Sequence, residues 1–351
     1  MRFRFITATP LDVIRGSGTF AGIASLARGL EALGATVEFV TPTLRLPVYT
    51  LERLWFNEQL RRRELPACDV SVGFDLDGYR IAGRERVPHV ASIKGVLADE
   101  LRFERGLTRW TMGIQAACER RHVQRARLVM TTSRYAAGRL QELYGVEQVS
   151  IVPDAIDLAG WSDLFARNPA EPDPGKFTIL CVCRFYPRKR LPLLLGAADR
   201  LRHEIPGLEV RIVGGGPQAR RLWRLWRERD LGRTVRWLGD VPQAELARQY
   251  QQCDLFCLPS VQEGFGIVFL EAMAAAKPIV AARAAAVPEV VTQGLLVEPD
   301  DEAALTRAIH RLYLDRPLRQ SLGETGRRAV EQYDAPRVAR AFQAALGAAG
   351  L

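Results

Sequence analysis

Two clusters in the second half of the chain have the residue types and spacing to hold an extended anionic ligand. The run Glu263-Gly264-Phe265-Gly266-Ile267 follows an apolar strand-like stretch and opens a helical pattern that contains Glu271. Gly264 and Gly266 let the backbone approach a ligand closely, and the N–H groups of Phe265, Gly266 and Ile267 point out of a helix start whose dipole favours negative charge. A diphosphate suits that position. Glu263 in the loop and Glu271 more than one turn into the helix can address opposite ends of one ligand, because carboxylates accept short hydrogen bonds from hydroxyl groups. The ordinary alternative is a capping glutamate and a solvated one flanking a common turn.

The second cluster, Arg184-Phe185-Tyr186-Pro187-Arg188-Lys189-Arg190, places four cations within seven residues after another strand. An arginine there can grip phosphate oxygens as a fork, and Lys189 supplies a compact charge five residues on. Preorganised cations at such a place stabilise the negative charge that develops on a departing nucleoside diphosphate. The alternative is a solvated basic turn. A third feature, Val213-Gly214-Gly215-Gly216-Pro217-Gln218-Ala219, also satisfies G-x-G-x-x-A. As a dinucleotide fingerprint it has Pro217 at the helix start, and only Asp240 approximates the acidic partner expected about 20 residues on.

These loops need strands and helices to hold them. Strand-like runs at 3–8, 36–42, 68–74, 88–94, 127–133 and 149–153 alternate with helical patterns at 19–33, 51–64, 97–125 and 134–143. The second half repeats the scheme, with strands at 177–184, 208–214, 234–239, 254–259, 278–282 and 295–298 and helices at 189–203, 217–230, 243–252, 266–276 and 301–331. Such alternation predicts an α/β protein of two Rossmann-like, doubly wound domains whose strand-end loops face a central cleft. The proline-dense stretch 168–175 reads as a linker. The expected division is a first domain over 1–160, a linker over 161–176, a second domain over 177–335, and a final helix over 336–351 that packs back on the first domain.

With 351 residues, of which 48% are hydrophobic and 25% charged, the chain can bury two cores. No apolar run approaches the ~20 residues needed to cross a bilayer. The first residues read directly as a strand rather than a secretory leader, so a cytoplasmic location is expected. The net charge of +9 is spread evenly, with 23 basic and 19 acidic groups in residues 1–170 and 26 and 21 in 171–351. A spread excess fits anionic small molecules or a lipid headgroup surface at least as well as nucleic acid, which usually calls for a concentrated patch, so no nucleic-acid partner is expected. Six cysteines without C-x-x-C pairing read as buried small hydrophobes, and four scattered histidines suggest no metal site.

Taken together, residues 177–335 resemble the retaining nucleotide-sugar glycosyltransferases of family 4, which have the two-domain GT-B fold. Glu263 and Glu271 match that family's E-x7-E motif, and Arg184 with Lys189 its phosphate-gripping pair. The loops Val213 to Pro217 and Leu238-Gly239-Asp240-Val241, and the late Pro288-Glu289-Val290-Val291, match three further motifs in the family's order. The resemblance implies that Glu263 contacts the transferred sugar, Glu271 the ribose hydroxyls, and Arg184 and Lys189 the diphosphate. It also places Gly214, Gly216 and Val241 on the donor side, with Gly18, for which a plain loop is the equal alternative. The sequence departs from the pattern at Ala276 and at Ala284-Ala285-Ala286, where the family has glycine.

In the first half, Asp75 and Asp77 form a D-x-D that lies away from the nucleotide motifs, so these carboxylates are read as acceptor-side candidates or as turn chemistry. Lys94 stands where the family carries a histidine, followed by Asp99 and Glu100, all three read as acceptor-side candidates; Lys94 either recognises an acidic acceptor or a phosphate, or pairs with one of these two carboxylates. The expected activity is metal-independent, retaining hexosyl transfer from a UDP- or GDP-sugar, acting as co-substrate with no cofactor, to a glycan, lipid-linked or small hydroxyl acceptor. A nicotinamide oxidoreductase and a non-catalytic sugar-nucleotide-binding protein are the alternatives. The segment 51–64 combines Leu51, Leu54, Trp55, Phe56 and Leu60 with Arg61, Arg62 and Arg63. It reads as an ordinary amphipathic helix or as a peripheral contact with the inner membrane face.

Overall fold

The computed structural model describes residues 1–10, 13–44, 46–84 and 86–351. It divides into two compact units, Met1–Ala155 with Tyr333–Leu351, and Ile156–Gln332. The first unit runs β1 (Arg2–Ile6), α1 (Val13–Ala32), β2 (Thr36–Val40), α2 (Tyr49–Leu60), β3 (Val70–Phe74), β4 (His89–Ile93), α3 (Leu97–Glu100), α4 (Gly106–Arg125), β5 (Leu128–Thr131), α5 (Arg134–Tyr144) and β6 (Ser150–Ile151). Its strands pair in the order β2-β1-β3-β4-β5-β6, all parallel.

The second unit runs α6 (Leu158–Arg167), β7 (Phe177–Val182), α7 (Leu191–Leu201), β8 (Leu208–Val213), α8 (Ala219–Glu228), β9 (Val235–Gly239), α9 (Gln243–Gln252), β10 (Leu255–Leu258), α10 (Ile267–Ala274), β11 (Ile279–Ala282), α11 (Val287–Val290), β12 (Leu295–Val297), α12 (Glu302–Leu314) and α13 (Arg316–Ala329). Its sheet order is β12-β11-β10-β7-β8-β9, again all parallel. The chain then returns to the first unit as α14 (Ala335–Ala348).

The inner strands are short and buried on both faces, as parallel strands covered by crossover helices must be, while the edge strands β2, β6, β9 and β12 are partly exposed. In the first unit Phe3 and Phe5 of β1 and Phe74 of the neighbouring β3 meet Val338 and Phe342 of α14 in one core. The last helix is therefore part of that core. Each sheet reverses its strand order once, between β1 and β3 and between β7 and β10, and loops at such a switch point diverge to leave room for a ligand.

Several element boundaries differ from the sequence reading. The linker expected over 161–176 begins as helix: Trp161 of α6 is buried with its ring edge-on to Tyr250 at 5.7 Å, and Gln251 donates to the Phe165 carbonyl at 3.0 Å. Apolar spacing at Leu158, Trp161, Leu164 and Phe165 outweighs the prolines that follow. The pattern over 301–331 is two helices, because Asp315 caps a new start by accepting from the Leu318 N–H at 2.9 Å and Pro317 cannot continue the previous hydrogen-bond ladder. The pattern over 97–125 likewise splits into α3 and α4.

Candidate active site

The switch point of the second sheet is flanked by the loops after β7 and β10, which carry both basic and acidic motifs. Backbone bonds join them: the Val261 N–H donates to the Arg188 carbonyl at 2.9 Å, and the Ser260 hydroxyl donates to the same oxygen at 3.2 Å. That join brings Lys189 Nζ to 2.5 Å from Glu263 Oε1, with the two side chains only 12% and 10% exposed. Residues 74 positions apart thus form one nearly buried ion pair. Arg184 lies farther out, 40% exposed, with Nη1 3.3 Å from Asp240 after β9. Val241 follows, half-buried.

Gly214 and Gly216 do their work between loops. A side chain on Gly214 would come within 2.1 Å of the Cys183 carbonyl, and one on Gly216 within 2.7 Å of the Phe185 nitrogen. Their φ angles, 113° and 149°, are also open mainly to glycine. The Phe185 N–H donates to the Gly215 carbonyl at 2.8 Å, and the Gly214 N–H to the Gly239 carbonyl at 2.8 Å. The glycine loop therefore clamps the Arg184 loop and ties both to the end of β9. Asp240, the nominal acidic partner of a dinucleotide fingerprint, is engaged by Arg184 instead.

Gly266 caps α10 with φ of 94°, which turns the chain into the helix between Phe265, itself buried, and Ile267. Gly264 stands between this turn and Glu263. Glu271 lies in the second turn of α10, 6% exposed, and accepts a hydrogen bond from the Tyr250 hydroxyl at 2.8 Å. Burial pushes its carboxyl up to about 7, against the pull of the Tyr250 hydrogen bond. Where the family resemblance leads one to expect glycine, Ala276 and Ala285 hold left-handed backbone with φ of 54° and 51°. The local turn is retained at the expense of strain at each alanine.

The first unit's candidates are spread over separate networks. Asp77 has no exposed surface: it accepts from the Ala8 N–H at 2.7 Å, from Asn57 at 3.0 Å and from Arg53 Nη2 at 2.9 Å. Its carboxylate ties the loops of the first switch point together, so turn and core chemistry replaces the acceptor-side reading. Asp75, with φ of 53°, accepts from the Lys94 N–H at 2.9 Å, and burial pushes its carboxyl up to about 6. Lys94 pairs with neither Asp99 nor Glu100; its Nζ lies 2.7 Å from Asp154. Asp99 is buried on Arg139 at 3.2 Å and on the Tyr135 hydroxyl at 2.8 Å, which makes it structural as well. Glu100 is half-buried in α3, and Gly18 sits within α1, which starts earlier than expected.

Sequence reasoning missed several partners. Tyr250 carries an unremarkable helical position, and only the tertiary fold brings its hydroxyl to Glu271. Two of the four histidines, thought scattered, meet with His89 Nε2 2.8 Å from His122 Nε2. Burial depresses both, His122 to about 4, so the pair is neutral. Among the described residues no group of three or more His, Cys, Asp or Glu side chains is placed to hold a metal ion. Nor is any helix among them long and apolar enough to cross a membrane.

What the second unit's arrangement offers is a cationic, glycine-lined helix start with carboxylates beside it. Residues 164–329, most of the second unit, match the family model described as Glycosyl transferases group 1. Among curated relatives, a GDP-mannose-dependent alpha-(1-6)-phosphatidylinositol monomannoside mannosyltransferase of Mycolicibacterium smegmatis is 30% identical over 217 residues, covering 58% of this chain and 57% of its own. A D-inositol 3-phosphate glycosyltransferase of Pseudarthrobacter chlorophenolicus is 33% identical over 210 residues, covering 56% and 50%. The chain thus aligns with little more than half the length of these relatives. A solved sucrose-phosphate synthase from Thermosynechococcus elongatus matches with a TM-score of 0.83 over 99% of this chain and 100% of that one, at 21% identity. The fold is that of the GT-B glycosyltransferases.

Proposed function

We propose that this protein is a hexosyltransferase that moves a sugar from a nucleoside diphosphate donor to a hydroxyl acceptor, with retention of anomeric configuration and without a metal. The observation that carries the reading is the Lys189–Glu263 pair at the switch point, beside the Gly266-capped start of α10. An ammonium has three donors, so Lys189 can keep one bond to Glu263 while another reaches a diphosphate oxygen. Arg184 adds a fork-shaped charge, and the two cations together stabilise the diphosphate as it leaves. Glu263 then faces the sugar, and Glu271 the ribose hydroxyls.

In this mechanism the acceptor hydroxyl attacks the anomeric carbon on the face that the diphosphate is leaving. The β-phosphate takes the hydroxyl proton, so no protein nucleophile is required. The charge a metal would supply comes from Arg184 and Lys189. On the first unit, Asp75 and the Lys94–Asp154 pair are the polar groups offered to the acceptor, for which a glycan or lipid-linked alcohol is the proposed class. The M. smegmatis relative is named for GDP-mannose, which makes that donor the first to try.

Thermal-shift measurements against UDP, GDP, ADP and their sugars test the donor, because only a ligand that binds the folded state raises the transition. Glu271→Ala is expected to weaken free nucleotide binding, whereas Glu263→Ala spares it and impairs transfer. Equal losses of nucleotide affinity would remove the assigned division of roles. Chelator leaves turnover unchanged on this mechanism; a requirement restored by manganese would overturn the metal-independent reading.

A further inference from the structure

The arginines of the second unit gather around α8. Residues 219–237 hold seven arginines against two acids, Glu228 and Asp230. Arg229 and Arg236 pair with Asp199 and Glu209 at 3.3 and 3.2 Å, and Arg221 rests on Gln218 at 3.4 Å. Arg220, Arg224 and Arg227 are exposed, and among the described residues nothing pairs with their side chains. All three belong to α8 at spacings of four and three residues, which places them on one helix face. Trp223, 45% exposed, stands on the same face between them. On the opposite side Leu222 is buried and Trp226 donates its indole N–H to the Val235 carbonyl at 3.1 Å, so packing fixes which face looks outward.

This strip starts at the rim of the candidate active site. Gln218, the residue that caps α8, donates its N–H to the Phe185 carbonyl at 3.0 Å, next to Arg184. Arg220 is two residues on, and the row runs from there for about 10 Å along the helix axis to Arg227. Glu228, the one carboxylate of α8, lies past its far end. Unpaired cations that begin beside the cationic loop and lead away from it suit a chain that carries negative charge along its length.

The lone ring selects among such chains. Insertion into lipid takes an apolar helix face, and the outward face of α8 is cationic with one tryptophan. Single-stranded nucleic acid is held by successive aromatic platforms along a groove, and this is the outer face of a single helix. A glycan needs one exposed ring, because the negative face of an indole attracts the C–H groups on the flat side of a sugar. Forked cations on either side then hold its carboxylate or phosphate groups. We propose that the outward face of α8 binds an acidic glycan, with a sugar ring on Trp223 and anionic groups on Arg220, Arg224 and Arg227. The inference rests on the hexosyltransferase reading and names its acceptor class: an anionic polysaccharide, a distal stretch of which lies along α8.

The test is binding of the full chain at low salt, by microscale thermophoresis, to polygalacturonate as the carboxylate probe, phosphomannan as the phosphate probe and dextran as the neutral control. The protein binds at least one acidic polymer and not dextran. An Arg220→Ala, Arg224→Ala, Arg227→Ala variant binds that polymer about ten-fold more weakly, the scale of losing three surface ion pairs. Trp223→Ala weakens it as well, and Trp223→Phe, which keeps a ring, restores most of the loss. Alanine is a strong helix former, so the unfolding midpoints of the alanine variants stay near native. Native protein that binds neither acidic polymer, an arginine variant that binds as tightly as native, or a Trp223→Ala variant with unchanged affinity would each overturn the proposal. Tighter binding to oligo(dT) or to phosphatidylglycerol vesicles than to either polymer would overturn it too, making the strip a nucleic-acid or membrane contact. Thermal shifts with UDP, GDP and ADP on the same samples separate the two readings. A nucleotide response without glycan binding removes the acidic acceptor alone, whereas no response to any nucleotide removes the transferase reading and the acceptor class with it.

Discussion

The two sheets reverse strand order at equivalent places, yet the two switch points are built from opposite materials. Between β1 and β3, Asp77, Arg53 and Asn57 are fully buried and spend their hydrogen bonds on one another and on the Ala8 backbone. Between β7 and β10, Lys189 and Glu263 meet with a tenth of their surface exposed, and Arg184 stands in solvent. One switch point uses charge to close the turn; the other holds charge where a ligand can reach it. The same topology therefore does not assign a site, and burial of the charged groups separates a structural network from a binding one.

The largest expected effect tests the structural half of that contrast. Asp77→Ala strands the Arg53 guanidinium in the interior, and loss of one partner from a buried pair costs about 3–5 kcal/mol. Chemical denaturation should show the loss; a variant within about 1 kcal/mol of native would mean that the first switch point is not held by this network.

Lys189→Ala and Arg184→Ala probe the other half. Each is expected to lower turnover by about two orders of magnitude or more, the scale of removing one preorganised charge stabiliser, while a cooperative unfolding transition remains. Near-normal turnover in both would erase the distinction between the two switch points.

A smaller, pH-dependent effect sharpens the picture around Glu271. Its carboxyl ionises near pH 7, so nucleotide affinity should rise as pH increases through that value, when the carboxylate becomes able to accept ribose hydroxyls. Glu271→Gln flattens the profile, and Tyr250→Phe moves it to higher pH because the tyrosine hydrogen bond favours the ionised form. The stability sign is opposite. The folded-state value lies above the usual 4.5, so the neutral carboxyl's contribution is fully present below that pH and is lost as pH rises through about 7. Calorimetric affinities and melting temperatures across that range would expose either sign as wrong.

The smallest effect concerns the turns around the second site. Ala276→Gly and Ala285→Gly relieve left-handed alanines, a gain of roughly 1–2 kcal/mol offset by the added freedom of the unfolded chain. A net rise in stability of about 0.5 kcal/mol each is expected in thermal melts. A fall would show that the turns tolerate alanine without strain.

Much of this was legible in the sequence because it is local. Alternating strand and helix patterns locate the two sheets, and Glu263 to Glu271 with Arg184 to Lys189 mark the two charged, glycine-bearing loops that meet at the second switch point. The helix at 158–167 was obscured by the prolines after it, although Trp161 and Phe165 carry the apolar spacing. What lay beyond reach was every pairing across long separations. Nothing in the neighbourhood of Lys94 names Asp154 over Asp99 or Glu100, and nothing near Glu271 names Tyr250.

Apolar periodicity, glycine placement and charge type are properties of short stretches, so the sequence by itself determined the two-sheet architecture and which loops carry chemistry. Tertiary structure alone decided which charges are buried, because burial depends on what the sheet twist and crossover helices bring over a side chain from elsewhere in the chain. That is why Asp77 of the first switch point, sequence-equal in promise to the glutamates of the second, became a structural brace.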